Sequence, residues 1–394
     1  MAGRGDSPEK RIQPAYHFWW FDAADGWSPP NRRWADIRSD GKRAREKGKC
    51  MAIQKRQAKQ SSVRISRRKP VLVGSGEYTY EWIEPWATLP PGRKFGNTHA
   101  VQETADGRII IHHAGQDSTA IFDARGKFIE AWGGATYAGT GHGMDLRREN
   151  GAEVLYLAPT SLHQVVKTDL RGHVLLTLEY PQAARDRSGQ PCYAGPEEYV
   201  PTFTAFAPNG DFYVTDGYGQ GWVHRYDAEG RYVQSFGGKG EGPDQTNCPH
   251  GIFCDTRRPE RPMIVVADRG HHRLQYFTLD GKLDHLVTND TPAQNEDDTG
   301  RLRLPCHFSV RNGLLLIPDL RGRVTILDRD NQVVAHLGDN PNAAQRANNG
   351  VPAADLTPGH FCCPHGATWD HEGNIYVAEW LPYGRVTKLR HVGG

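Results

Sequence analysis

Six repeat units of similar length follow one another along most of this chain, and they constrain its fold more than any other feature. Five units carry a histidine at the same point and one carries a threonine there: His99, His142, Thr202, His250, His307 and His365. Beyond that point, each unit contains a turn and then a strand of small and apolar residues, as at 264–267. A period of roughly 45–60 residues with this content indicates radially repeated β units.

Each unit contains the signals of several short strands joined by tight turns. Pairs such as Asp106-Gly107 and Asn209-Gly210 precede strands at 109–112 and 212–215, and an alternating strand follows each of these. Four antiparallel strands per unit, repeated six times, predict an all-β fold, a six-bladed β-propeller. The last unit ends after its third strand, so we predict that residues 78–82 supply its fourth strand and close the ring.

The beginning of the chain differs from the repeats in composition. Residues 1–70 contain 18 lysines and arginines against 7 aspartates and glutamates. We therefore predict a basic, partly irregular extension at 1–75 and the propeller at 76–394. Such a segment is typical of a solvated tail, and its charge also suits contact with an anionic partner such as nucleic acid or lipid.

Composition also bears on the compartment. No apolar run approaches the roughly 20 residues of a membrane-spanning helix. We find no export signal, which favours the cytoplasm, although a wrongly assigned start codon could hide one. The seven cysteines are an odd number scattered through a large chain, and this predicts reduced thiols rather than a disulfide framework.

The repeated histidine predicts a site. In a propeller the innermost strand of each blade lines a central channel, so a residue type repeated at the start of that strand forms a ring. Five imidazoles brought to equivalent points converge on one axis, and imidazole is a common metal ligand. For a single histidine, the alternative is a hydrogen-bonded residue lining the channel.

Four segments of the chain resemble those of one known family. They are 141–143 with 162–167, 213–218, 249–250 with 266–269, and 364–365. The units resemble NHL repeats, and the order of their polar residues is similar to that of peptidyl-α-hydroxyglycine α-amidating lyases, over about residues 95–390. That family is a six-bladed propeller in which three histidines hold zinc in the channel.

The resemblance implies zinc on His142, His250 and His365, with an open position for substrate. It also implies that Tyr218 transfers a proton and that Arg269 binds the substrate carboxylate. The family's reaction cleaves the C–N bond of a hydroxyglycine and releases an amide and glyoxylate. Without the resemblance, Tyr218 is a loop aromatic and Arg269 a partner for an acidic residue such as Asp268.

The chain departs from the family at several positions. Ala114 stands where the family has another catalytic arginine, and Gly366 stands where an aspartate helps to bind structural calcium, so calcium is uncertain here. Cys363 replaces a methionine. His99 and His307 extend the ring into blades where the family has no zinc ligand, and they suit outer contacts, substrate contacts, a second site or direct ligation of the metal.

Three further side chains are weaker candidates for the channel. Cys248 and Cys363 each lie two residues before a predicted ligand, so on an extended strand they share its face. A thiolate suits zinc or copper, whereas a protonated cysteine serves as a small apolar filler. His113 follows His112 directly, and alternation directs one of the two toward the channel mouth.

These observations leave three functions open. The first is a zinc-dependent lyase, or one using copper or another divalent metal, that acts on a small carboxylated or peptide-derived substrate. The second is a non-catalytic propeller that binds a protein or nucleic acid. The third is a lactonase-like hydrolase, which the imidazole-rich ring disfavours because such enzymes need a carboxylate-rich calcium site.

Overall fold

A computed structural model of the protein describes residues 69–289 and 300–393. These residues form six antiparallel sheets, the six blades of a β-propeller, as predicted. The predicted extension at 1–75 lies almost wholly outside the described residues, as does most of an acidic segment at 290–300. The domain boundary at 75 and 76 therefore stays a prediction.

Five blades each consist of four consecutive strands, which follow one another from the channel outward. Blade 1 contains β3 (Thr98–Glu103), β4 (Ile109–His113), β5 (Thr119–Phe122) and β6 (Phe128–Trp132). Blade 2 contains β7 (Gly143–Glu149), β8 (Ala152–Ala158), β9 (Val165–Asp169) and β10 (Val174–Leu178). Blade 3 contains β11 (Thr204–Phe206), β12 (Phe212–Thr215), β13 (Trp222–Tyr226) and β14 (Tyr232–Gly237).

The remaining blades follow the same plan. Blade 4 contains β15 (Pro249–Asp255), β16 (Met263–Asp268), β17 (Arg273–Phe277) and β18 (Leu283–Val287). Blade 5 contains β19 (Ser309–Arg311), β20 (Leu314–Asp319), β21 (Arg323–Leu327) and β22 (Val333–Leu337). Blade 6 contains β23 (Pro364–Trp369), β24 (Ile375–Glu379) and β25 (Arg385–His391), followed outward by β2 (Tyr80–Ile83) and β1 (Leu72–Val73).

Helical structure in the described residues is confined to short turns between strands. The α-helix α1 spans Gly134–Tyr137. The 3-10 turns span Gly76–Tyr78, Thr160–Leu162, Pro196–Glu198, Arg269–His271, Ala343–Gln345 and Ala353–Asp355. No helix in the described part of the chain is long and apolar enough to cross a membrane.

The two ends of the propeller close the ring in blade 6, as predicted. Strand β2 pairs antiparallel with β25, with Trp82 opposite Leu389. Arg385 of β25 donates to both carboxylate oxygens of Glu84 just beyond β2, at 2.7 and 2.6 Å, and to Glu379 at 2.8 Å. Strand β1, which the sequence reasoning missed, adds a fifth strand to the same blade.

The core lies between the blades because side chains alternate across each sheet. In β4, Ile110 packs with side chains of blade 2, whereas Ile109 and Ile111 pack with side chains of blade 6, including Tyr376. All three isoleucines are fully buried, and each such side chain stabilises the fold by about 1.5–3 kcal/mol. The core therefore holds neighbouring blades together around the channel.

Candidate metal centre

Four histidines from different blades meet in the channel. They are His99 of blade 1, His142 before β7, His250 of blade 4 and His365 of blade 6, and all four are buried. Five of the pairs among them have ring centroids between 4.6 and 4.9 Å apart. The predicted convergence of imidazoles is therefore present for these four residues.

Backbone carbonyl groups orient the three histidines of the predicted triad. Each Nδ1 atom faces a carbonyl oxygen of the next blade: His142 to Thr202 at 3.4 Å, His250 to Cys306 at 2.7 Å and His365 to His99 at 2.9 Å. A carbonyl oxygen only accepts hydrogen bonds, so each Nδ1 carries the proton and each Nε2 carries a lone pair. Histidines from blades 2, 4 and 6 are thus oriented by carbonyl groups of blades 3, 5 and 1.

The Nε2 atoms of the triad carry lone pairs, and too few hydrogen-bond donors are present to satisfy them. Those of His142 and His250 are 3.2 Å apart, and Nε2 of His365 is buried without a hydrogen-bond partner. Burial, with a smaller effect of the positive charge of Arg269, lowers the pKa of all three imidazoles well below 6.5, so they are neutral. Converging neutral imidazole nitrogens fit a divalent cation such as zinc or copper.

Tyr218 lies beside the triad at the mouth of the channel. Its hydroxyl is 3.0 Å from Nε2 of both His142 and His250, while 39% of the residue is exposed. Loss of water around the phenol raises its pKa to about 12, and the charge of Arg269 opposes that rise. Tyr218 is therefore protonated at neutral pH, and its single proton can satisfy only one of the two nitrogens.

The loop that carries Tyr218 is fixed by Asp216. One carboxylate oxygen accepts from the backbone N–H of Val200 at 2.7 Å, and the other accepts from that of Gln220 at 2.6 Å. The Tyr193 hydroxyl donates to the same carboxylate at 2.8 Å and contacts His224 at 2.5 Å. This buried network holds the turn from which the Tyr218 ring reaches the histidines.

Arg269 follows β16 and is almost fully buried next to Tyr218. Its guanidinium contacts sulfur atoms rather than a carboxylate, with Cys248 Sγ at 3.1 Å and Cys306 Sγ at 3.9 Å. It also donates to the Tyr218 hydroxyl at 3.4 Å. Asp268, the neighbour considered as its partner, pairs instead with His271 and Arg273. Among the described residues, Arg269 has no carboxylate partner.

The ring contacts of two other candidate histidines, His307 and His113, are with phenylalanines rather than with the triad. His307 shares its repeat position with the other histidines, but its Nε2 faces Asp145 at 3.3 Å and its ring packs on Phe203 at 4.5 Å. His113 accepts from the backbone N–H of Gly115 at 2.9 Å through Nδ1, as part of a turn in blade 1.

The two cysteines predicted to share a face with the ligands occupy different surroundings. Cys248 has a φ of 59°, so the backbone is not extended there and strand alternation does not apply. Its sulfur nevertheless reaches the site through Arg269. The Cys363 thiol lies 3.5 Å from the Cys362 thiol in an apolar cluster. The backbone N–H of Cys363 donates a hydrogen bond to the Glu379 carboxylate.

Sequence reasoning missed Cys306, and it gave no role in orienting the histidines to the glycine that follows each member of the triad. Cys306 forms with His250 and His365 a group whose possible ligand atoms lie within 4.8 Å of one another. A Cβ atom on Gly143, Gly251 or Gly366 would lie 1.8, 2.5 or 2.4 Å from the carbonyl oxygen that orients the preceding histidine. The dipeptide His-Gly marks the triad, whereas alanine follows His99 and phenylalanine follows His307.

Several curated proteins resemble this chain in sequence, although no protein-family model matches it. Peptidyl-alpha-hydroxyglycine alpha-amidating lyase 1 of Drosophila melanogaster is 27% identical over 327 residues, 75% of this chain and 52% of the lyase. Peptidylglycine alpha-amidating monooxygenase of Rattus norvegicus is 26% identical over 196 residues, 48% of this chain and 18% of that protein. The chain thus spans about half the length of the first relative and a smaller share of the second.

Solved structures agree with the fold. A streptogramin B lyase matches with a TM-score of 0.52 at 14% identity, over 81% of this chain and 98% of that one. A gluconolactonase from Xanthomonas campestris matches with a TM-score of 0.53 at 14% identity, over 82% and 95% of the two chains. Identities this low show the fold alone. The chain folds as a six-bladed β-propeller, and its sequence resembles that of peptidyl-α-hydroxyglycine α-amidating lyase.

Proposed function

We propose that this protein is a zinc-dependent lyase whose active site lies in the propeller channel. His142, His250 and His365 would hold the metal. The observation that carries the proposal is the set of three neutral imidazoles from alternate blades. Each is oriented through Nδ1, so that its Nε2 lone pair is available to bind a metal ion. A bound zinc ion supplies Lewis acidity toward a substrate hydroxyl or carboxylate oxygen.

The proposed substrate is a peptidyl-α-hydroxyglycine or a related carboxylated carbinolamide. In this reaction the substrate hydroxyl loses its proton, a C=O bond forms and the C–N bond breaks. The electron pair of that bond goes to the nitrogen, which takes up a proton to give an amide, and glyoxylate is the other product. Tyr218 would move this proton, because its hydroxyl lies 3.0 Å from Nε2 of both His142 and His250 and the residue is partly exposed to solvent.

Arg269 supports a carboxylated substrate. A buried guanidinium without an anionic partner is costly, and the thiols of Cys248 and Cys306 are weak acceptors. Burial raises the pKa of the Cys306 thiol to about 11, and it also raises the pKa of Cys248, so both are protonated and leave the charge of Arg269 uncompensated. A substrate carboxylate would provide the missing partner through two parallel hydrogen bonds.

The non-catalytic alternative explains less of the site. A propeller that only binds a protein or nucleic acid has no need of unprotonated imidazoles facing one another, or of a buried arginine without a counter-charge. The names of both curated relatives are those of amidating enzymes, which favours catalysis.

The direct test is a glyoxylate-release assay with an α-hydroxyglycine peptide. We expect the zinc-loaded protein to release glyoxylate and the chelator-treated protein to regain activity when zinc is restored. Arg269→Gln should raise KM for the carboxylated peptide more than for its methyl ester. Zinc-loaded protein that releases no glyoxylate would overturn the proposed reaction.

A further inference from the structure

We propose that His99 is a fourth imidazole ligand, so that the centre is a four-histidine site. This inference rests on the proposed metal centre and adds a ligand from blade 1. His99 is not a member of the triad. In blade 1 it stands at the repeat position that Thr202 has in blade 3. The contacts of the His99 side chain, rather than its repeat position, support a role as a ligand.

The geometry places His99 against two members of the triad. Its ring centroid is 4.8 Å from that of His142 and 4.7 Å from that of His365. The possible ligand atoms of these three residues all lie within 4.8 Å of one another. His99 is therefore as close to the shared His142–His365 pair as His250 is.

The same contacts bear on the place that His99 would take in the centre. His99 and His250 each contact both His142 and His365 through their rings, and the ring contacts of the described residues include none between His99 and His250 themselves. Tyr218 contacts the rings of His142 and His250, and its ring contacts in the described part of the chain do not include His99. With His99 as a fourth imidazole, substrate would bind as a fifth ligand on the side of Tyr218 and Arg269, since catalytic zinc can expand to five-coordination.

The His99 imidazole interacts with the backbone of Asn97 and Gly141, but one of its nitrogens has no hydrogen-bond partner. Its Nδ1 is buried without a hydrogen-bond partner, and the residue is 7% exposed. His307, at the same repeat position, also has a buried Nδ1 without a hydrogen-bond partner, but its Nε2 faces Asp145. His99 has no acidic partner among the described residues, and its nearest rings are imidazoles.

The test measures zinc binding rather than activity. We would load wild-type protein, His99→Ala and the matched control His307→Ala with zinc, and determine affinity by chelator competition. Loss of even an outer partner of a ligand weakens metal binding by about 10–100-fold, so His99→Ala should weaken it at least about tenfold. The control should bind zinc as the wild type does.

X-ray absorption of the zinc-loaded proteins supplies the second measurement. We expect four imidazoles around zinc in the wild type and three in His99→Ala, with circular dichroism showing that the variant is folded. His99→Gln, which keeps a polar side chain, should behave like the alanine variant. Unchanged affinity and an unchanged imidazole count in both variants would overturn the inference.

The outcomes separate this inference from the proposed function. Wild-type protein that binds no zinc would defeat both. A zinc site with three imidazoles, lost in His365→Ala but unaffected in His99→Ala, would defeat the fourth ligand and leave the lyase proposal standing.

Discussion

The Nε2 atoms of His142 and His250 lie 3.2 Å apart, although the two residues are 108 positions apart in the chain. Two nitrogens bound to one tetrahedral zinc at about 2.0–2.1 Å would be separated by about 3.3–3.4 Å. The protein therefore holds these atoms near the spacing that shared coordination requires. Without a cation, two lone pairs face each other at this distance and repel.

Removing the Tyr218 hydroxyl should separate catalysis from metal binding. In Tyr218→Phe the ring can keep its place beside His142 and His250, but the hydroxyl that we propose moves a proton is gone. We expect kcat for glyoxylate release to fall by about 10²–10⁴-fold, the usual contribution of proton transfer, with zinc content unchanged. Steady-state kinetics and metal analysis of the same preparation provide the check. A variant with wild-type kcat would remove Tyr218 from the chemistry.

Adding a methyl group at Gly251 should disturb the centre through the backbone. Its Cβ would lie 2.5 Å from the Cys306 carbonyl oxygen, which accepts from Nδ1 of His250. We expect Gly251→Ala to lower the free energy of unfolding by about 1–3 kcal/mol, as overpacking does. We also expect zinc affinity to fall at least about tenfold, as when a partner that orients a ligand is lost.

Gly350→Ala is the matched control for this change. Only the Asn348 side-chain oxygen, at 3.3 Å, would lie near its Cβ. We expect both stability and zinc affinity to stay close to wild type. If folded Gly251→Ala also bound zinc like the wild type, the carbonyl groups would not be orienting the ligands.

The ion pair between Glu84 and Arg385, beside the strand pair that closes the ring, should make the stability of the fold sensitive to acid. Burial raises the pKa of Glu84, but the hydrogen bonds and charge of Arg385 outweigh this effect and hold that pKa below its ordinary value of 4.5. The resulting stabilisation is present above pH 4.5 and is lost as the pH falls through the lowered value. At pH 7, Glu84→Gln should lower the free energy of unfolding by about 1–3 kcal/mol.

Denaturant unfolding across pH measures this effect. The difference between wild type and Glu84→Gln should shrink as the solution is acidified below pH 4.5. Glu81→Gln is the control, because Glu81 pairs with the exposed Arg390 on the same strand pair and should contribute less than about 1 kcal/mol. A constant difference at every pH would show that the Glu84 charge does not stabilise the closure.

Much of the fold could be predicted because its signals are local. Turn pairs such as Asn209-Gly210 fix where strands end, and the glycine adopts a φ of 95° that favours this residue. The missing fourth strand of the last unit pointed to residues 78–82, and the structure has Tyr80–Ile83 there. Strand β1 was missed because two residues give no periodic pattern.

The candidate site was less predictable because distant residues decide it. Repetition brings histidine to the channel, but the contact between His307 and Asp145 joins residues 162 positions apart and takes that imidazole elsewhere. A positive φ at Cys248 breaks the alternation on which its placement was based. The placement of Cys306 near Arg269 likewise depends on how blades 4 and 5 pack.

Zinc content of purified protein tests the central claim most directly. After chelation and reconstitution, elemental analysis should find one tightly bound zinc ion per wild-type chain and little in His250→Ala or His365→Ala. His173→Ala, which removes an exposed imidazole far from the channel, should keep the metal. Wild-type protein without bound zinc, or triad variants that retain it in full while folded, would contradict the account.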